Sequence, residues 1–379
     1  MRELEQILEL WARAESAGEA AVLATVVKTQ GSAYRLPGAR MLVTAGSLRA
    51  GSISGGCLEE DLLKKAWWLT EAGPVVRRYD TTPDGEIAAE YGLGCNGIIY
   101  VLLERVSAGH APVLDLIHRV RAERRPAAIV HLLQPKSDIG QRVIVDTAGT
   151  VAHNLADPDL ASALLDSANH ALAEGASRHE GWHGVEAFVE TLAPAVRLVI
   201  FGAGDDAVPM TALAKHLGWR VTVCDGRSHY ARVEKFPLAD EVFVRPAGAS
   251  GLGAEIDPWT VAILMTHSYS QDLEALRELA GEPLRYLGIL GPRKRTVQLL
   301  ADAGLHETKL APVLHAPIGL DIGADGPEQV ALAAIAEIQA TLNSRQGGLL
   351  RERSGSIHAR DSATPEDESY SVPSIACAS

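Results

Sequence analysis

The sequence predicts an α/β protein in two parts, an N-terminal α+β domain followed by a Rossmann-like, doubly wound parallel sheet. Three observations lead there. The chain has 379 residues, long enough for two separate hydrophobic cores. From "VRLVIFGAG" onward it repeats strand, glycine turn, helix and strand, the pattern of a parallel sheet with crossover helices. Before that point strand-like runs and helical stretches follow one another without that regularity.

Taken in order, "MRELEQILELWARAESAGEA" spaces Leu4, Ile7, Leu8 and Trp11 as the buried stripe of a helix, not as a secretory signal. "AVLATVV" reads as a buried strand, and "ARMLVTAGSLRAGSISGG" as two short strands turning at Ala45-Gly46-Ser47. A helix is expected from about Cys57 to Thr70, with Glu59, Glu60 and Asp61 in its first turn and Lys64 and Lys65 a turn later, as the helix dipole favours. "GIIYVLLERV", "AAIVHLL" and "RVIVDTAGTVA" add strand-like runs; residues 157 to 175 are alanine-rich and helical; "GASRHEGWHG" after them looks like a loop. Pro194 marks the expected boundary between an N-terminal domain, 1–193, and a Rossmann-like nucleotide-binding domain, 194–345. In the second, strands are expected at 196–201, 220–224, 241–244, 260–266 and 285–290, and "PEQVALAAIAEIQATL" is its last helix. The polar, serine- and glycine-rich stretch 346–379 is expected to be a disordered tail. There is no repeat of solenoid type.

Composition narrows the function. A formal net charge of −13 argues against nucleic acid and anionic membranes as partners, and leaves a small ligand or another protein. No apolar run is long enough to cross a bilayer, so the chain is expected in the cytoplasm. Its four cysteines, Cys57, Cys95, Cys224 and Cys377, lack the pairing of a disulfide framework or a zinc site, and no metal site is expected.

Two regions carry chemistry. In "VIFGAGDDA", Gly202, Gly204 and Ala207 form a G-x-G-x-x-A fingerprint between strand and helix, with Asp225 ending the next strand at the distance of a ribose-binding acid. Against a routine NAD site, Asp205 and Asp206 stand where a pyrophosphate would sit, so they must face away or hold a cation. Arg227 could instead meet a phosphate, with a solvated arginine as the commoner case. Beyond the later strands, "THSYSQD" presents His267, a proton or hydrogen-bond donor or simply a structural histidine, and "LGPRKRT" presents Arg293, Lys294 and Arg295, a phosphate-binding run or a solvated surface. "HAPIGLDIG" is expected to cover the same cleft.

The other region is "GSISGGCLEEDLLKK", which sets Cys57 at a helix start, where unpaired N–H groups lower a thiol pKa while Glu59, Glu60 and Asp61 oppose them. Gly51, Gly55 and Gly56 allow close backbone approach, and Ser52 and Ser54 add hydroxyls, so the loop could hold an anion beside a thiolate; a small residue closing a turn is the plainer alternative. "GLGCNG" places Cys95 between glycines, and "GSAYRLPGAR" offers Arg35 and Arg40. Two thiols and two guanidiniums on glycine-rich loops suggest a soft or anionic ligand, one containing sulfur or metal.

"GSAYRLPGARMLV", "GSISGGCLEEDL", "GLGCNG", "VIFGAGDDA", "LGPRKRT" and "HAPIGLDIGADGPEQVALAAIAEI", in this order, resemble the XdhC/CoxI family of molybdenum-cofactor chaperones, up to about Leu342. The resemblance implies a homodimer that binds molybdenum cofactor, assists its sulfuration with a cysteine desulfurase, and inserts it into a molybdoenzyme of the xanthine dehydrogenase family. It makes Cys57 and Cys95 the thiols near the cofactor or the sulfur in transit, and gives Gly202, Gly204 and Asp225 the phosphate or dinucleotide end. Asn96, and Asp205 with Asp206, depart from the common pattern. Two other readings compete: an NAD(P)-dependent oxidoreductase using the Rossmann cleft and His267, and a sulfurtransferase with a persulfide on Cys57.

Overall fold

The structure is a computed structural model and describes residues 2–82, 97–149, 151–182, 184–306 and 310–353. The described residues form three sheets, two antiparallel and one parallel.

The first unit runs α1 (Arg2–Ser16), β1 (Ala21–Gly31), β2 (Arg40–Thr44), β3 (Arg49–Gly51), α2 (Cys57–Leu69), β4 (Val75–Asp80) and β5 (Gly97–Val106), with strand order β3-β2-β1-β5-β4. The second runs α3 (Pro112–Glu123), β6 (Ala127–Gln134), β7 (Arg142–Asp146), β8 (Val151–His153), α4 (Pro158–Glu174), β9 (Arg178–Trp182) and β10 (Val185–Leu192), with order β8-β7-β6-β10-β9. Among the described residues the same arrangement of helices and strands therefore occurs twice. The register repeats too. Thr25 lies opposite Arg40 and Leu102, as His131 lies opposite Arg142 and Phe188; Leu23 faces Glu104 as Ile129 faces Glu190. Even the bulge recurs, between Val26 and Lys28 in β1 and between Leu132 and Gln134 in β6.

The two units pack sheet to sheet. One face of the first sheet buries Val22, Ala24, Met41 and Val101 against Leu58 and Leu62 of α2, and the matching face of the second buries Ala128, Val130, Val143 and Ala187 against Leu164 and Ala168 of α4. The opposite faces meet each other, with Leu23, Leu42 and Val106 joining their counterparts Ile129, Ile144 and Leu192. Val27 and Leu102 close one end with Leu133 and Phe188. Residue i of one unit meets j of the other, and j meets i, which is the pattern of a two-fold interface within one chain.

The parallel sheet holds β11 (Arg197–Phe201), β12 (Arg220–Asp225), β13 (Glu241–Val244), β14 (Thr260–Leu264), β15 (Tyr286–Ile289) and β16 (Leu314–His315), in the order β13-β12-β11-β14-β15-β16. Helices α5 (Ala207–His216) and α8 (Pro327–Leu342) cover one face; α6 (Tyr269–Leu279) and α7 (Arg293–Ala303) cover the other. The strand order reverses at β11 and β14, so the binding crevice of such a sheet opens beyond their carboxyl ends.

The expected loop at 175–184 differs from the structure. Arg178–Trp182 forms β9, an edge strand in which half-buried Arg178, Glu180 and Trp182 alternate with exposed His179 and Gly181, and β10 beside it supplies the apolar partner face. Leu350–Glu352 forms one short 3-10 turn within the expected tail, and residues from 354 lie outside the described residues.

Candidate functional site

The loop "GSISGG" leaves β3 and enters α2, bringing Cys57 to the helix start. Its conformation is dictated by one carboxylate. Glu59 accepts from Ser52 Oγ at 2.8 Å, Ile53 N at 3.1 Å, Ser54 N at 2.8 Å, Gly56 N at 3.0 Å and the Ser54 hydroxyl. Burial would favour the neutral acid, but the hydrogen bonds from Ser54 and Ser52 outweigh it and hold the Glu59 pKa below the ordinary carboxylate value. The donors expected to cradle an anion are thus turned inward onto Glu59. Gly56 adopts φ 125°, which only glycine takes at no steric cost. The signal missed in the sequence is the Gly-x-x-Glu spacing, the acidic half of a capping box.

Beside this loop lies a cleft of about 740 Å³, walled by Glu3 and Arg13 of α1, by Arg35, by Arg49 of β3 and by Gly55 and Gly56. Arg35 makes a two-pronged pair with Glu3, at 2.8 and 2.5 Å, while Arg13 and Arg49 are exposed. Arg40 is not in this cleft. It is 3 % exposed and bridges to Glu190 of β10, with Nη1 to Oε1 at 2.7 Å and a second bond from Nη2, and also donates to Gly38 O at 3.0 Å. Burial pushes Glu190 up, but the Arg40 charge and the hydrogen bonds of His131 and Arg40 lower its pKa to about 2. Arg142, the counterpart of Arg40, bridges back to Glu104 and donates to Gly140 O at 3.0 Å. Both arginines join the two units. Cys95 and Asn96 lie outside the described residues, as does Cys377; Cys224 is buried, which pushes its thiol up to about 12.

A second cleft, of about 340 Å³, opens at the carboxyl ends of β11 and β14, lined by Gly204, Asp205, Asp206, Arg227, Tyr230 and His267. Gly202 (φ 126°) passes so close to the Met265 carbonyl that any side chain would collide with it. Asp225 is fully engaged: Oδ2 accepts from Ala203 N at 2.9 Å and Arg227 Nη2 at 2.8 Å, and Oδ1 from Arg227 N and Nε. Burial opposes its ionisation, but the Arg227 and Ala203 bonds hold its pKa below the usual carboxylate value. Asp205 pairs with Lys235 at 2.8 Å and Asp206 with His267 Nε2 at 2.7 Å, so the two acids diverge and do not form one cation site. Among the described residues no cluster of three or more His, Cys, Asp or Glu could hold a metal ion.

Arg293 and Lys294 are exposed in the first turn of α7, whereas Arg295 binds Asp272 at 2.6 Å, and Asp272 in turn accepts from the Thr266 hydroxyl at 2.6 Å. The segment 315–323 does not line the cleft. His315 lies in β16, stacked on Tyr286 and 3.2 Å from Glu337 of α8, and the Glu337 carboxylate also accepts from Gly319 N and the Tyr286 hydroxyl.

A duplicated antiparallel unit carrying a Gly-Gly-Cys helix start, followed by a Rossmann-type sheet, defines the class of protein. Residues 198–338 match the XdhC Rossmann domain and residues 14–80 the XdhC and CoxI family. A relative from Bacillus subtilis, named as a probable xanthine dehydrogenase subunit, is 32% identical over 328 residues, covering 85% of this chain and 93% of its own. The "Molybdenum cofactor insertion chaperone PaoD" of Escherichia coli is 27% identical over 335 residues, covering 88% and 86%. A crystal structure named as a xanthine dehydrogenase from Bacillus halodurans superposes with a TM-score of 0.73 at 29% identity, covering 91% of this chain and 96% of that one. The chain belongs to the XdhC and CoxI family. Among the described residues no helix is long and apolar enough to cross a membrane.

Proposed function

We propose that this protein is an accessory chaperone that binds molybdenum cofactor and delivers it to a molybdoenzyme of the xanthine dehydrogenase type. The observation that carries the reading is similarity over most of both chains to a relative named as a molybdenum cofactor insertion chaperone. The cargo is a pterin dithiolene bearing phosphate. The cleft beside Cys57 suits its size, since small-molecule sites span about 300–1,000 Å³. Arg13 and Arg49 at its wall can meet its negative charge, while Glu3 of the same wall is taken by Arg35, Glu59 by the loop donors, and Glu9 is the acid that opposes them. In this reading Cys57 is the thiol beside the metal end or the carrier of sulfur in transit. It accepts a sulfane sulfur from a cysteine desulfurase as a persulfide, the donor enzyme recovering its thiol. Ser54, Gly55, Gly56 and Arg35 shape the same site, and Cys95 plays a part similar to that of Cys57. The protein works in the cytoplasm as a homodimer, with residues 1–193 holding the cargo and 194–345 forming the Rossmann domain. The saturation of Asp225 by Arg227 and Ala203 disfavours the alternative of an NAD(P)-dependent oxidoreductase, because no oxygen of that acid is left for a ribose hydroxyl.

The test is cofactor loading. Wild type and Cys57→Ser are incubated with molybdenum cofactor, desalted, and assayed for bound molybdenum and pterin. Near-stoichiometric retention by wild type with a marked loss in the variant is expected; retention by neither rejects the proposal. Mass spectrometry after incubation with a desulfurase and cysteine should add the mass of one sulfur atom to the Cys57 peptide.

A further inference from the structure

The Rossmann cleft has the glycines of a dinucleotide site, but a carboxylate lies across its cradle. Asp206 stands at the N-terminal end of α5 with helical dihedrals, φ −68° and ψ −22°, and its side chain caps no helix N–H. It folds back over the fingerprint loop instead. A Cβ built on Gly204 would lie 2.5 Å from Asp206 Oδ1, so the carboxylate fills the space that the glycine leaves free for a ligand. Oδ1 is buried without a hydrogen-bond partner, while Oδ2 is held by His267 Nε2 at 2.7 Å. His267 reaches it from the loop after β14 with φ 57°, a left-handed conformation that a non-glycine residue adopts only when its surroundings impose it. The first-turn donors are also taken: Ala207 N bonds to Gly204 O and Val208 N to Asp205 O. On the ribose side, Asp225 is closed by Arg227, whose Nη2 also donates to Thr266 O at 2.8 Å.

We propose that Asp206, held by His267, is the specificity-determining residue that closes the Rossmann cleft of this chain to phosphate-bearing dinucleotides. An anion entering the cradle would meet a fixed carboxylate where the fingerprint normally offers only backbone, and the two like charges would repel. Asp205 does not share the role, because its side chain turns to Lys235 on the exposed side. Asp206 acts in this way whatever cargo the N-terminal cleft carries.

The experiment is calorimetric titration of NAD⁺ and ADP into the full-length wild type, Asp206→Ala, Asp206→Asn and Asp205→Ala, each checked for an unchanged thermal transition. Wild type and Asp205→Ala should show no saturable binding in the micromolar range. Asp206→Ala should bind at least about tenfold more tightly than wild type, the scale expected when a close like-charge contact is removed. Asp206→Asn keeps the shape without the charge, so it should gain as well, though less. Micromolar binding by wild type would overturn the proposal, and so would the absence of any gain in both Asp206 variants.

Discussion

Glu59 shows how much one side chain can organise. A loop of glycine and serine has little conformational preference of its own, yet Ser52, Ile53, Ser54 and Gly56 all donate to this carboxylate. Glu59→Gln replaces one accepting oxygen with an amide nitrogen, which can only donate. Donors left without a partner cost about 1–3 kcal/mol. We expect a loss of stability of that order in urea titrations, together with weaker cofactor retention although Cys57 is untouched. A fall in retention matched by rescue in Glu59→Asp would point to loop geometry, and unchanged retention in Glu59→Gln would show the loop to be held by other means. The sign of the pH effect follows from the lowered pKa: the Glu59 contribution is present above the ordinary glutamate value and is lost as pH falls through the depressed one. Spacing along the helix marks Glu59 only as a charge opposing the Cys57 thiolate, because it does not reveal that the chain before it wraps around the carboxylate.

At the scale of elements, the two copies of the repeated unit have diverged at one end of one helix. In the second copy Asp157 caps α4, accepting from Asp159 N at 2.9 Å and Leu160 N at 3.2 Å. In the first copy Gly56 stands at the N-cap of α2 and offers no side chain. The helix that carries Cys57 is capped from the preceding loop instead, where the Ser54 hydroxyl accepts from Leu58 N at 3.3 Å and Glu59 accepts from Gly56 N at 3.0 Å. Asp157→Ala should cost about 1 kcal/mol, a typical N-cap loss, read as a lower denaturation midpoint with unchanged slope and unchanged cofactor retention. A loss of retention there would mean that the second copy contributes to the site. Helices such as Pro158–Glu174 and Pro327–Leu342 are legible in the sequence because proline near the start and an apolar face reappear in each. Strands β4 and β9 are not, since edge strands with exposed polar residues lack the apolar run that marks a strand.

Across the whole molecule, the reciprocal bridges Arg40–Glu190 and Arg142–Glu104 hold the two N-terminal units together. Arg40→Met leaves Glu190 charged and buried, and breaking a buried pair from one side costs about 3–5 kcal/mol. The double change Arg40→Met/Glu190→Leu should recover most of that, because the cost lies in the stranded charge; a double variant as unstable as the single one would place the cost in packing instead. Because the pKa of Glu190 is lowered to about 2, its contribution is present above its unfolded pKa of about 4.3 and is lost as pH falls between the two values. Acid titration of the wild type should therefore lose stability over that window, and the double variant should lose less. Sequence by itself determined the class of the protein: the fingerprint glycines, the periodicity of the parallel sheet and the Gly-Gly-Cys helix start are local patterns, set by backbone freedom and by which side chains must be buried. Tertiary structure alone decided which polar groups are free to meet a ligand. Arg40 pairs with a residue 150 positions away, Asp225 is saturated by Arg227 and Ala203, and Asp206 is held by His267. The partner of a buried charge is chosen by packing between distant segments, and no spacing along the chain records it.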